Sequence, residues 1–166
     1  TFTWNAGASN ARTIRASTTT TNFSTSNNPT SSRLTQVSDR DRHLFHFGTE
    51  TTIGDTTTVD PMFIRFSNQE DLNTYAPTAI NTAGTFRLDQ GNTIVAAVSG
   101  KDYTLLLTDT SAYVIQFVGP PFTFSVRQVG TNCGCIGQNA VSYSDGKVFW
   151  MSGEGGFFVF DGTVKS

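Results

Sequence analysis

Apolar side chains are grouped along this chain in short runs, each cut off by glycine, proline, asparagine or aspartate. Runs of that length, bounded by turn residues, read as β-strands. Leu44-Phe45-His46-Phe47 is the first, ending at Gly48, and a Thr-rich polar loop over 49–58 follows it with Gly54 and Asp55 as turn signals. Met62-Phe63-Ile64-Arg65-Phe66 is the second, and its alternation turns Arg65 to solvent. Ser67-Asn68-Gln69-Glu70 has the spacing of a capping box and predicts one helical turn, which Pro77 keeps short. Four more strands are predicted over 93–98, 103–107, 113–118 and 122–129, and three over 139–143, 148–151 and 157–160. Short turns join them, including Ser99-Gly100-Lys101-Asp102, Asp109-Thr110-Ser111, Gly119-Pro120-Pro121 and Ser144-Asp145-Gly146. No segment carries the period of a long amphipathic helix, so the predicted class is all-β.

The strands repeat. Laid over one another at an offset of 43 residues, Ala97-Val98-Ser99 meets Ala140-Val141-Ser142, and Asp102 meets Asp145. Leu105-Leu106-Leu107 then meets Val148-Phe149-Trp150, 114–117 meets 157–160, and Gly119 meets Gly162. A β-repeat of about 40 to 50 residues is the signature of a propeller blade, a small sheet that hides its faces only by stacking on neighbours. His43 to Phe66 reads as an earlier blade with a longer loop, and Trp4 as the close of one before it. The predicted organisation is a polar β or loop region over 1–37, the end of a preceding blade, then blades over about 38–90, 91–133 and 134–166. Both ends read as cut through a larger propeller, of which the chain is an incomplete part.

Composition narrows the function more than the fold. Charged residues are 14% of the 166 and the net charge is −2, so there is no basic face for nucleic acid. Arg40 and Arg42 stand beside Asp39 and Asp41 as a self-cancelling turn. The first 35 or so residues are polar, with a Thr run at Thr18 to Thr21 that suits either an exposed strand or a loop. No run approaches the ~18 to 20 apolar residues of a helical membrane span.

Candidate chemistry is sparse. His43 and His46, three apart on a strand, point to opposite faces and do not share a metal. Cys133-Gly134-Cys135 reads as two thiols at a turn, short of the four ligands of a zinc site. Asp60, Glu70, Asp71, Asp109, Asp145 and Glu154 are available for paired-acid hydrolysis, but most lie in turns. Tyr75 near Asn73, and Tyr103 near Asp102, are the aromatics that a carbohydrate-binding or adhesin propeller would use. No catalytic, cofactor-binding or metal residue is assigned, and no enzyme activity is expected.

Several further runs stand out in order: Ser38-Asp39-Arg40-Asp41-Arg42-His43, Asp60 to Glu70, Asn81-Thr82-Ala83-Gly84, Asp109-Thr110-Ser111 and Val148-Phe149-Trp150-Met151. The most specific is Gln116-Phe117-Val118-Gly119-Pro120-Pro121-Phe122-Thr123-Phe124. On these residues the stretch from about Ser38 to Gly162 resembles virion structural proteins of tailed bacteriophages, in particular the propeller-bearing tail hub or nozzle proteins of short-tailed phages. The resemblance covers about three quarters of the chain and leaves out the polar start. It implies a virion location and a ring of copies, usually hexameric, below the portal. It also implies contacts with portal, adaptor and other tail proteins, and a channel that DNA crosses only in transit. It implies no catalytic residues.

Overall fold

A computed structural model describes residues 28–38 and 40–166, so Trp4, the Thr run at Thr18 to Thr21 and Asp39 lie outside the described residues. The strands form three separate four-stranded antiparallel sheets. The first holds β1 (Ser32–Ser38), β2 (His43–Glu50), β3 (Val59–Phe66) and β4 (Gly84–Arg87). The middle sheet holds β5 (Ile94–Ser99), β6 (Thr104–Thr108), β7 (Ser111–Gly119) and β8 (Thr123–Thr131). The third holds β9 (Val141–Ser144), β10 (Lys147–Met151), β11 (Phe157–Phe160) and β12 (Val164–Lys165). Each sheet is a simple meander in chain order. The Asp145-Gly146 turn between β9 and β10 has φ of 48° and 78° at its two residues, the left-handed pair that twists with a two-residue hairpin.

The sheets stack face to face, and the side-chain alternation of the middle sheet shows how. Leu106, Tyr113 and Ile115 join Phe45, Phe47, Ile64 and Phe66 of the first sheet in one core. Their neighbours Leu105, Leu107, Ala112 and Val114 join Val148, Trp150 and Phe160 of the third sheet in a second core. The middle sheet thus has no water-facing side over its central strands, and all of β6 is buried. An unbroken Leu105-Leu106-Leu107 run is what two-sided burial demands. In β10, by contrast, burial alternates: Val148 and Trp150 are buried, Lys147 and Phe149 exposed. The first strands of the sheets also lie side by side, β1 against β5 and β5 against β9. Gln36 donates to Ser99 Oγ, and Arg33 donates to Thr93 Oγ1 at 2.8 Å, across the first of these seams.

The chain passes from the middle to the third sheet through Cys133-Gly134-Cys135, which runs along the β6–β7 turn. Cys133 N donates to Thr110 O at 3.0 Å and Cys135 N to Thr108 O at 2.9 Å. Trp150 Nε1 donates to Cys133 O at 2.7 Å, tying the linker to the third sheet as well. The approach is so close that a Cβ on Gly134 would sit 1.9 Å from the Asp109 carbonyl oxygen, so only glycine fits.

The 43-residue offset carries β6 onto β10 end for end, but it is one residue out of phase with the faces. Leu105 and Leu107 superpose on Val148 and Trp150, yet the two sets meet across one core instead of facing the same way. Because side chains alternate sides within a strand, an offset one residue longer or shorter would match face with face here.

Several local expectations are corrected. Arg65 is only 4% exposed; it lies on the face of the first sheet turned away from the middle sheet, where a connecting loop covers it. Ser67 to Glu70 forms no helical turn: Glu70 has φ 58°, a left-handed value that a right-handed helix cannot continue, and an Asn68–Asp71 bridge closes the turn. The strand at Leu44 does not end at Gly48 but bulges there, with a register shift between Phe47 and Thr49, and runs on to Glu50. The polar stretch at Ser32–Ser38 is a strand, and β4 and β12 are strands that the hydrophobic pattern did not mark.

Candidate functional site

The densest set of titratable side chains lies on the far side of the first sheet. His46 on β2 pairs across the ladder with Arg65 on β3, and both side chains point away from the middle sheet. The 67–83 connection folds back over them and plants Tyr75, 1% exposed, on His46 with ring centroids 5.1 Å apart. His46 Nε2 and the Tyr75 hydroxyl share a 3.2 Å hydrogen bond. Arg65 donates to the Tyr75 carbonyl at 3.4 Å and to the Glu50 and Thr51 carbonyls at 3.3 and 2.8 Å, with its guanidinium 5.4 Å from the Phe63 ring. Glu50 is fully buried, and its carboxylate accepts from Thr30 N at 2.5 Å, Ser31 N at 2.8 Å and Gly54 N at 3.0 Å. Charge-assisted bonds to backbone N–H groups are what make such a burial tolerable.

Burial drives the His46 imidazole down to about 4; the Glu50 carboxylate opposes that shift and the Arg65 guanidinium reinforces it. Burial, joined by the Asp71 charge, pushes the Tyr75 phenol up. At neutral pH the cluster therefore holds a neutral His46, a neutral Tyr75, and an Arg65 guanidinium whose charge is spread over backbone carbonyls. Its chemistry is that of a clasp: it pins the 67–83 connection to the sheet through hydrogen bonds that water does not reach.

The remaining candidates fall elsewhere. His43 points the other way from His46, as expected, into the core beside Phe124 at 4.9 Å, with Nε2 3.0 Å from Thr82 Oγ1. Burial holds its pKa below the usual value. Cys133 and Cys135 are buried free thiols whose pKa values burial raises. Asp60 binds Arg87 at 2.7 Å, Glu70 pairs with Arg42, and Asp71 accepts from Asn73 N and Thr74. Asp109 holds Asn92 through its backbone N at 2.8 Å and its side chain at 2.9 Å, while Asp145 and Glu154 sit exposed in turns. Each of these acids serves a local turn or ion pair. Arg40, read from the sequence as cancelled by its own neighbours, pairs instead with Asp102 of the middle sheet.

Of the two tyrosines singled out for sugar stacking, one is buried and the other half-buried. Tyr75 is enclosed, and the Tyr103 ring lies across Gly100 and edge-on to Phe160 at 5.4 Å. A cleft between the β1–β2 and β5–β6 turns, lined by Arg40, Asp41, Lys101, Asp102, Phe117 and Phe124, has a volume of about 70 Å³. That is well below the roughly 300 Å³ of the smallest usual ligand pockets. The sequence reading missed the clasp itself. Its one available signal was Arg65, a charge set between Ile64 and Phe66 in the otherwise apolar run from Met62 to Phe66.

Among the described residues, no group of three or more His, Cys, Asp or Glu is placed to hold a metal ion, and no helix is long and apolar enough to cross a membrane. No protein-family model matches the chain, and no curated protein sequence matches it.

Proposed function

We propose that this chain is a non-enzymatic structural component of a bacteriophage tail, its three sheets forming blades of an incomplete β-propeller that assembles with copies of itself into a ring. In this reading the ring is part of the nozzle or hub, joined to portal and other tail proteins, and DNA crosses its channel without being held. The observation that supports the blade reading is the two-sided burial of the middle sheet between separate sheets, with β1 beside β5 and β5 beside β9. Radial repetition of four-stranded meanders has that arrangement. The tail reading rests on the sequence resemblance, chiefly the 116–124 run. That run forms the end of β7, a tip with Val118 and Phe122 exposed, and the start of β8. A net charge of −2 suits a conduit, since lysine and arginine contacts to phosphate would retain DNA.

Electron microscopy of the purified protein tests this function. Closed rings, or decoration of tail-like particles, are the expected result. A dispersed species that forms no ring at any protein concentration would overturn the assembly. Retention on duplex DNA at ~150 mM salt would overturn the passive-conduit role.

A further inference from the structure

The 67–83 connection meets its sheet at two histidines of β2 that point to opposite sides, and it meets them differently. At its neck, Thr82 N and Thr82 Oγ1 both donate to Asn68 Oδ1 at 3.0 Å, and Gln69 N donates to Thr82 Oγ1 at 2.8 Å. The one hydroxyl proton of Thr82 thus lies toward Asn68, so His43 Nε2, 3.0 Å from the same oxygen, is the donor to it. A second proton on His43 goes to Nδ1 and leaves this bond in place. Beyond the neck, over 72–81, Tyr75 is the one buried residue, and 76–80 are all exposed. Among the described residues, the hydrogen bonds from 72–81 to the sheet are both made by Tyr75, through its hydroxyl to His46 and its carbonyl to Arg65. The others close within the connection: Asn68 N to Thr74 O, Asn73 N and Thr74 Oγ1 to Asp71, Thr78 N to Asn81 Oδ1, and Asn81 Nδ2 to Ala76 O.

We propose that residues 72–81 form a flap, hinged at the His43–Thr82–Asn68 neck and latched by Tyr75 on His46, which acid opens. His46 lies on β2 between Thr35 of β1 and Arg65 of β3, so bringing it to water by moving β2 would break two ladders and the first core. Lifting Tyr75 brings water to the same ring and breaks two hydrogen bonds. The charges that face His46 are Glu50 on its own strand and Arg65 on β3, and Asp71 acts on Tyr75. Glu50 is held by Thr30 N, Ser31 N and Gly54 N, and Arg65 is a permanent cation, so a charge on His46 gains more from water than from its neighbours. The flap itself carries no Asp, Glu, Lys, Arg or His. At the hinge, Asp41 is the charge that faces His43, while β3, β7 and β8 present the rings of Phe66, Phe117 and Phe124.

NMR relaxation dispersion on the 166-residue chain, from pH 7 to pH 4, is the test. With the imidazole at about 4 when covered and at the usual 6.5 in water, the open population of 72–81 should rise about 100-fold over that range. The amides of Asn68, Gln69, Thr82 and β6 should show no matching change. In His46→Gln the open population should not depend on pH. Tyr75→Phe, which keeps the titrating ring and removes the latch hydroxyl, should raise the open population at pH 7 by about 3- to 10-fold and keep its rise in acid; this variant decides the matter if His46→Gln does not fold. A population indifferent to pH, an equal rise in His46→Gln, or a Tyr75→Phe population unchanged at pH 7 overturns the flap. So does movement of the β6 amides together with 72–81, which would make the event an opening of the whole fold.

Discussion

Acid should loosen this protein through His46 before it does so through most of its carboxylates. In the folded chain the imidazole titrates at about 4, against the usual 6.5. The folded pKa lies below the unfolded one, so the unfolded chain binds the extra proton. The stability associated with a neutral His46 is therefore complete above about pH 6.5 and is lost as pH falls towards 4. Lowering the imidazole from 6.5 to about 4 corresponds to about 3 kcal/mol when fully expressed, and to about 2 kcal/mol by pH 5. Against a total of roughly 5 to 15 kcal/mol, that is a substantial fraction. The structural origin is burial: a proton on His46 would have to sit out of water under Tyr75, where Glu50 offsets part of the cost and Arg65 adds to it, and where His46 Nδ1 and Arg65 Nε have no hydrogen-bond partner among the described residues.

The assay is urea unfolding at a series of pH values, followed by the fluorescence of Trp150, which is 2% exposed in the core between the middle and third sheets. Wild type is compared with His46→Gln, which keeps a polar side chain that does not titrate. His43, Glu50 and every other carboxylate are common to both proteins, so their titration cancels in the difference. The stability difference between wild type and variant should shrink by about 2 kcal/mol from pH 7 to pH 5. A difference that stays constant within about 0.5 kcal/mol over that range would refute the claim that His46 is a buried, neutral part of the clasp.

Other consequences are simpler to check. Gly134→Ala drives a methyl group into the Asp109 carbonyl and should cost about 3 kcal/mol, a fall in Tm of roughly 6 to 12 °C; an unchanged Tm would contradict the linker path. Leu106→Ala should cost about 2 to 5 kcal/mol, while Phe157→Ala at low protein concentration should stay within about 0.5 kcal/mol, as denaturation midpoints will show. In a double-mutant cycle, Leu107→Ala and Val148→Ala should couple by about 0.5 kcal/mol or more, and Leu106→Ala and Val148→Ala should add independently, because Leu106 belongs to the other core. Cys133 and Cys135 should resist a thiol reagent in the native protein and react together on unfolding; rapid reaction at pH 7 would contradict their burial.

Legibility in the sequence followed how completely each strand is buried. β6, with three leucines in a row, and β10 and β11, rich in aromatics, stand out because apolar side chains are the signal itself. β1 has the same backbone role with one buried side chain, Leu34, and exposed Arg33 and Thr35, so its polar sequence resembles a loop. β4 is four residues at a sheet edge, where little needs to be apolar. Arg65 was misread for a different reason. Alternation says which side of a strand a residue occupies, but not whether that side is wet. Here the 67–83 connection dried it, and the hydrogen bonds that made this tolerable come from Glu50, Thr51 and Tyr75, 10 to 15 residues away. Long-range partners of that kind leave no periodic trace.

The repeat shows the same distinction between position and face. An offset of 43 matches strand to strand because strand and turn lengths recur, and those lengths are set by the local geometry of a meander. Which side each residue takes depends on parity, and parity changes whenever a turn gains or loses one residue. The β5–β6 turn spans four residues between Ser99 and Thr104, while the β9–β10 turn is the tight Asp145-Gly146 pair between Ser144 and Lys147. Those two turns differ by two residues, which leaves parity unchanged, so the slip by one enters elsewhere along the path from β6 to β10. Leu106 and Phe149, equated by that alignment, accordingly have opposite fates: Leu106 is sealed between two sheets, and Phe149 stands on the one open face of the stack among the described residues. An aromatic pair in place of a leucine in the core is thus a surface feature in search of a partner, which the pattern of strands alone could not have distinguished from a third buried core.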